Sequence, residues 1–140
     1  MSDPTVQLHI DGQPLTVKDG RVVVGGSTAT RWRLVQDDRT GQHNYVIIDA
    51  ESGFLQAWKA ADSGNPGPVE VGMLPVGKSL PPYYPPNGVW VLELVDNDTY
   101  SITNVSTEMS VGVGKPGDPG EQPLLLLPQG TGSKVVATRV

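Results

Sequence analysis

The stretch WVLELVDNDTYSI, which runs from Trp90 to Ile102, holds two runs of alternating residues separated by an acidic turn. Upstream, WRLVQDDRTGQHNYVI at 32–47 has the same arrangement: Trp, Leu two residues later, an acidic turn, then Tyr-x-Ile. A period of two places Trp and Leu on one face of a strand. Each stretch is therefore predicted to form a strand, a turn and a strand, and their similarity indicates an internal repeat.

Turn signals divide the rest of the chain into further short strands. Asp11-Gly12 and Asp19-Gly20 lie between apolar runs, where a tight turn needs residues that tolerate positive φ. The result is twelve strand candidates in three sets of four, at approximately 4–36, 43–95 and 99–140. We interpret residues 1–140 as one all-β domain with a threefold internal repeat.

The repeat has landmarks that become weaker toward the ends of the chain. Trp32 and Trp90 each lie on the fourth strand of a set, and Val136 is expected at the same position in the third set. The Tyr that opens the later sets is expected to be replaced by Val6 or Leu8 in the first set.

A β-trefoil is the fold that this arrangement favours. One set of four strands does not bury its own apolar face, whereas three sets around a pseudo-threefold axis do, and closure removes unpaired strand edges. An up-and-down barrel or a two-sheet sandwich is the alternative architecture.

Composition excludes several classes of function. The net charge is −5 without a basic stripe, which argues against nucleic-acid binding. The chain contains no cysteine, so it has neither disulfides nor a thiol nucleophile. No signal peptide is visible, and no run approaches the roughly 18 apolar residues of a membrane span, so a cytoplasmic location is expected.

Three short motifs have structural explanations. GVGKPG at 112–117 matches a dinucleotide-binding pattern, but Pro116 prevents the helix that such a site needs, so a loop is predicted. LPPYYPP at 80–86 contains Pro-Pro-x-Tyr, a motif that small domains specific for proline-rich peptides bind. We interpret it instead as a stiff connection with its tyrosines packed on the barrel. FLQAW contains the Gln-x-Trp of ricin-type lectins at a different position of the repeat, so Trp58 is assigned to the core or the barrel rim.

Catalytic chemistry has little support in the sequence. His9 and His43 have no partner at metal-ligand spacing, and no serine lies in a nucleophile elbow. Asp37-Asp38 and Asp96/Asp98 fall in equivalent turns, which predicts solvated acids rather than an acid/base pair. We therefore predict a protein that is not an enzyme and that uses no cofactor or metal.

Exposed loops on a rigid scaffold are the remaining candidates for a binding site. Three of them carry basic residues: the turn with Lys18 and Arg21, the turn with Arg39, and the connection that ends at Lys134.

The three four-stranded sets, the W-x-L and Y-x-I landmarks and the lack of cysteine make the chain resemble the mushroom β-trefoil protease inhibitors. The most similar group is the serine-protease inhibitors of the cospin and cnispin type (mycospins). The sequence VGMLPVGKSLPP…GVWVLEL…DTYSI, within approximately residues 70–105, resembles that group most. A fungal protein of defence is what this resemblance implies.

The resemblance also implies inhibition by a substrate-like loop, which offers a basic side chain to the acidic pocket of a trypsin-like serine protease. Members of the group use the loop between strands two and three or the loop between strands eleven and twelve. By position, these are Lys18-Asp19-Gly20-Arg21 and Gln129–Lys134. Arg21 is the preferred contact residue, followed by Lys18 and then Lys134.

Two other functions remain open on the same scaffold. A carbohydrate-binding β-trefoil would use an aromatic residue such as Trp58 and a turn Asp to hold a sugar. An inhibitor of mycocypin type would block a papain-like cysteine protease. It would do so with loops of the first set, near Gly12 and Gly25-Gly26. Fold alone does not decide among these functions.

Overall fold

The computed structural model describes residues 4–26, 29–37, 41, 43–52, 56–60, 67–74, 84–115 and 120–140. These ranges contain thirteen β-strands and one short 3₁₀ helix, Pro86–Gly88. The strands are β1 (Thr5–Ile10), β2 (Gln13–Lys18), β3 (Arg21–Val24), β4 (Arg31–Gln36), β5 (Asn44–Asp49), β6 (Gln56–Lys59), β7 (Glu70–Met73), β8 (Trp90–Asp96), β9 (Thr99–Asn104), β10 (Ser110–Gly112), β11 (Gln122–Pro123), β12 (Leu125–Leu127) and β13 (Val135–Arg139). None of the described residues forms a helix with the length and apolar character that crossing a bilayer requires.

The all-β prediction is confirmed, but the count of strands differs from the twelve predicted. Each predicted strand overlaps a described one, and the additional strand is the two-residue β11, which pairs with β3. Its sequence, Gln122-Pro123, has neither the length nor the alternation by which a strand is predicted.

Six strands close a barrel through antiparallel pairs. The order around the ring is β1, β4, β5, β8, β9 and β13, and β13 pairs again with β1. A longer closed circuit of nine strands passes through the hairpins β2–β3 and β6–β7, because β3 also pairs with β7. Closure of this kind leaves no free edge in the ring. The architecture is β-trefoil-like.

The barrel registers repeat three times. The first strand of a set meets its fourth strand at Val6↔Trp32, Tyr45↔Trp90 and Tyr100↔Val135. The fourth strand meets the first strand of the next set at Leu34↔Ile47, Leu92↔Ile102 and Ala137↔Leu8. Trp32, Trp90 and Val135 are therefore equivalent positions, and so are Val6, Tyr45 and Tyr100.

This register corrects one landmark of the sequence analysis. Val135, with a side chain that is fully buried, occupies the Trp position, whereas Val136 is 40% exposed and points outward. The prediction of Val136 was wrong by one residue, which in a strand reverses the face. Of the two candidates for the Tyr position in the first set, Val6 is the correct one.

Three buried tryptophans form the centre of the core. Trp58 lies between the other two and meets each edge to face, with ring centroids 5.5 Å from Trp32 and 5.7 Å from Trp90. The Nε1 of Trp32 donates to the carbonyl of Leu15 at 3.3 Å, and that of Trp90 donates to the carbonyl of Trp58 at 3.1 Å. Aromatic pairs in this geometry contribute beyond the area that they bury.

A second apolar cluster lies on the outer side of β5. Val46 and Ile48 pack there with Leu74 and Val89, and Tyr84 is half-buried against them. The prediction that tyrosines of LPPYYPP pack on the barrel is thus correct for Tyr84, while 80–83 lie outside the described residues.

Turn acids do not all match the prediction of solvated groups. Asp96 and Asp98 are exposed, but Asp37 is only 2% exposed. The Asp37 N–H donates to the carbonyl of Asn44 at 2.8 Å. This bond extends the β4–β5 ladder by one residue, so Asp37 is part of the sheet rather than of an exposed turn.

Candidate functional site

The hairpin β2–β3 ends in a two-residue turn. Asp19 and Gly20 have φ values of 54° and 75°, and Lys18 and Arg21 face each other as the last pair of the ladder. Two successive positive φ values belong to the type of turn whose twist matches the flanking strands. All four residues are exposed, so this tip presents two basic side chains to solvent.

The backbone of this turn is fixed to a neighbouring strand. The carbonyl of Gly20 accepts a hydrogen bond from the Val71 N–H at 2.8 Å, and the Val22 N–H donates to the carbonyl of Val69 at 3.0 Å. Arg21 is also a register partner of Glu70 on β7. The turn is therefore one part of a continuous sheet rather than a separate projecting loop.

Lys18 is engaged in an ion pair within the molecule. Its Nζ lies 2.9 Å from Oε1 of Glu121, and the two side chains are 57% and 43% exposed. The hydrogen bond to the Glu121 carboxylate, reinforced by its charge, raises the pKa of Lys18 above its ordinary 10.5. An ion pair this exposed is weak, and it holds the Lys18 amine beside Glu121 at the protein surface.

The connection from β12 to β13 has a different geometry. It turns at Pro128, whose carbonyl accepts from the Thr131 N–H at 3.0 Å and from the Thr131 hydroxyl at 2.6 Å. Gly130 alone in this connection has a positive φ, 88°. From Thr131 to Lys134 the chain is irregular and largely exposed.

Contacts with β10 support this connection from beneath. The Ser133 N–H donates to the carbonyl of Val111 at 2.9 Å, and the Ser133 hydroxyl accepts from the Val113 N–H at 3.2 Å. Gly132 lies so close that a Cβ there would be 2.6 Å from the Ser110 Cβ. Val135, fully buried, fixes the far end. Lys134 is thus an exposed cation on a connection held at both ends.

The structure gathers four of the five predicted site residues at one place. Lys18, Asp19, Gly20 and Arg21 share the β2–β3 tip, whereas Lys134 precedes β13, which pairs with β1 and β9. Sequence reasoning missed Glu121, because nothing local indicates that it pairs with a residue 103 positions away.

The other candidates from the sequence are either outside the described residues or not placed to form a site. Arg39 lies outside the described residues. No cluster of three or more His, Cys, Asp or Glu able to hold a metal occurs among the residues that the structure describes. Trp58 is 0% exposed and therefore not available as a stacking surface for a sugar.

Solved structures with the same fold differ widely in sequence. The designed threefold-symmetric protein ThreeFoil is similar over 97% of this chain and 99% of its own, with a TM-score of 0.70 and 14% identity. The Polyporus squamosus lectin, solved with a sialylated epitope, matches 99% of this chain with a TM-score of 0.72 and 13% identity; the match spans 50% of the lectin. A Caenorhabditis elegans protein of unknown function has a TM-score of 0.67 and 10% identity, over 98% of this chain and 94% of its own.

Sequence comparison gives a more specific result. No curated protein matches the chain. The family model described as Peptidase inhibitor I66 matches residues 1–94, a range that contains the β2–β3 tip and ends before Lys134.

Proposed function

Since the chain belongs to the peptidase inhibitor I66 family, we propose that it inhibits a trypsin-like serine protease with a basic side chain on a braced loop. The family supports a protease as the partner. The choice of a trypsin-like enzyme rests on the basic residues at the candidate loops, because the primary pocket of such enzymes has an acidic floor.

The backbone of the β12–β13 connection is the observation that supports Lys134 as the contact residue. Proteases hold their substrates as extended strands, so the residues around the contact side chain must adopt extended φ values. Asp19 and Gly20, next to Arg21 and Lys18, have positive φ instead. No residue from Thr131 to Val135 has a positive φ, so on geometry Lys134 ranks ahead of Arg21 and Lys18, whereas the sequence placed it third.

Bracing of the connection explains how it would inhibit rather than be consumed. A loop already held by Ser133 and Val135 loses little conformational freedom on binding, so more of the interaction energy appears as affinity. The residue after Lys134, Val135, is fully buried at the start of β13, so the peptide bond between them is held within the fold, which opposes its cleavage.

A titration of trypsin with the wild-type chain and single variants tests the proposal. We expect the wild type to abolish activity, and Lys134→Ala to weaken inhibition by roughly 30-fold or more, because truncation of a central contact residue costs about 2 kcal/mol or more. The conservative Lys134→Arg should retain inhibition. Arg21→Ala and Lys18→Ala are the matched controls and should change it by less than about threefold.

The outcomes test two parts of the proposal separately: the class of the target protease and the loop that contacts it. If trypsin stays fully active at micromolar wild-type protein, the proposal of a trypsin-like target is wrong. Loss of inhibition in Arg21→Ala, with Lys134→Ala unaffected, would keep the target and move the contact to the β2–β3 tip.

Papain, chymotrypsin and subtilisin belong in the same titration, because family membership alone does not define the class of protease. Inhibition of papain alone would favour the cysteine-protease alternative. For the sugar-binding alternative, the lectin fold is a weak support, and saturable binding on a glycan array that free sugar displaces would favour it.

A further inference from the structure

A cavity of about 520 Å³ opens among inward-facing residues of all six barrel strands, beyond the layer that contains Trp32 and Trp90. Its floor is apolar, formed by residues such as Val6, Leu34 and Leu92. The volume lies within the range of small-molecule sites. None of the candidate protease-contact residues lines it.

The cavity exists because the threefold repeat is broken at two neighbouring positions. Tyr45 and Tyr100 are equivalent to Val6, and Leu34 and Leu92 are equivalent to Ala137. The smaller residues lie on β1 and β13, which pair with each other. Space that a Tyr and a Leu fill in the other repeats is therefore empty on one side of the barrel end.

Charges of both signs border this space. Arg139 lies on β13, Asp98 lies in the turn between β8 and β9, and Glu93 lies on β8, while the Ala137 N–H donates to the carbonyl of Asp98 at 2.8 Å. In the described part of the chain, the side chains of these three residues form no ion pair or hydrogen bond with one another or with other groups. An unpaired Arg and an unpaired Asp on the border of one cavity offer a donor and an acceptor to a single ligand.

We infer that this cavity binds a free α-amino acid with a large apolar side chain. The apolar body would fill the space above Val6 and Ala137, the carboxylate would bind Arg139, and the ammonium group would bind Asp98. A sugar is disfavoured, because hydroxyl groups buried against the apolar floor would lose their hydrogen bonds to water. A ligand with a single charge would leave either Arg139 or the carboxylate at the border of the cavity without a partner. The inference does not depend on protease inhibition.

Titration of the ¹⁵N-labelled full chain with L-phenylalanine, followed by NMR, tests the inference. We expect saturable shifts at the amides of Tyr45, Tyr100 and Ala137. N-acetyl-phenylalanine amide, which keeps the ring but lacks both charges, should bind about tenfold more weakly, and glycine should not saturate.

Variants that restore the repeat give a control within the protein. Ala137→Leu and Val6→Tyr introduce the residues found at the equivalent positions, so they should fill the cavity and weaken phenylalanine binding at least about tenfold. Both should leave the protease titration unchanged. Arg139→Gln removes the cation without filling space and should weaken phenylalanine binding by about tenfold as well.

Three results would overturn the inference. The first is a lack of saturation at millimolar L-phenylalanine. The second is phenylalanine binding that Ala137→Leu and Arg139→Gln leave unchanged. The third is saturable binding of galactose or glucose at the same amides without binding of phenylalanine. Because Arg139 is exposed, its variant tests the inference even if a cavity-filling variant fails to fold.

Discussion

At the scale of single residues, Trp58 and Trp90 show that two equally buried side chains need not contribute equally. Both are 0% exposed and their rings lie 5.7 Å apart. Trp90 donates its indole N–H to a backbone carbonyl, whereas the Nε1 of Trp58 has no acceptor within the described part of the chain. A buried donor without an acceptor loses its hydrogen bonds to water, so Trp58 stabilises the fold through its ring alone.

Substitution by phenylalanine separates these two contributions. Trp58→Phe and Trp90→Phe each remove the same volume, but only Trp90→Phe removes a hydrogen bond. We expect Trp90→Phe to lower the free energy of unfolding by about 1 kcal/mol more than Trp58→Phe does. Chemical denaturation of the two variants at one pH measures the difference, and equal losses would contradict the role assigned to the indole N–H of Trp90.

At the scale of elements, the β12–β13 connection depends on a close approach to β10. A Cβ on Gly132 would lie 2.6 Å from the Ser110 Cβ and 2.6 Å from the carbonyl oxygen of Val111. Since one of these atoms belongs to the backbone, the connection itself must move to admit a methyl group. The position of Lys134 therefore depends on the absence of a side chain two residues earlier.

Gly132→Ala is expected to displace this connection. We predict a loss of about 1–3 kcal/mol in stability, together with protease inhibition that is about tenfold weaker. Gly114→Ala is the matched control, because a Cβ there meets Leu125 Cδ1 at an ordinary 3.5 Å. Thermal unfolding and the trypsin titration measure both variants, and a Gly132→Ala protein with wild-type inhibition would contradict the role of the close approach.

Most strands were predictable from local pattern, whereas the contacts that surround the candidate site were not. Alternation identifies strands such as Thr5–Ile10 and Asn44–Asp49 with the bounds that the structure gives them. The support of Ser133 by Val111 and the pairing of Lys18 with Glu121 join segments that are distant in sequence. No local pattern encodes such contacts, so the order of the candidate residues changed once the backbone was known.

The repeat itself illustrates the same limit. Trp32 and Trp90 indicated it, but the third set has no aromatic residue to fix its register, and its two adjacent valines have equal propensity for a strand. Only the pairing of Val135 with Tyr100 identifies which of them faces the core.

At the scale of the whole molecule, the two ends of the described chain are adjacent. β1 pairs with β13, and the Val140 N–H donates to the carbonyl of Thr5 at 3.1 Å. Every strand of the barrel therefore has a neighbour on both sides, and a covalent link between the ends would not require the barrel to rearrange.

A circular permutant tests this closure. Joining the ends of the chain through a short Gly/Ser linker and opening it at the Asp11-Gly12 turn should give a folded protein whose melting temperature lies within a few degrees of the wild type (roughly 1 kcal/mol). Opening it instead between Ile102 and Thr103, inside β9, should prevent folding. Calorimetry measures both, and an unfolded first permutant would contradict the closure.

The pairing of β1 with β13 also has a consequence for synthesis. At about 5–20 residues per second, a ribosome needs roughly 6–25 seconds to advance from the first strand of the barrel to the last. For that period, one side of residues 5–10 has only transient partners. A ribosome that stalls before residue 135 therefore releases a polypeptide with an open strand edge, which can add a strand from another nascent chain and begin aggregation.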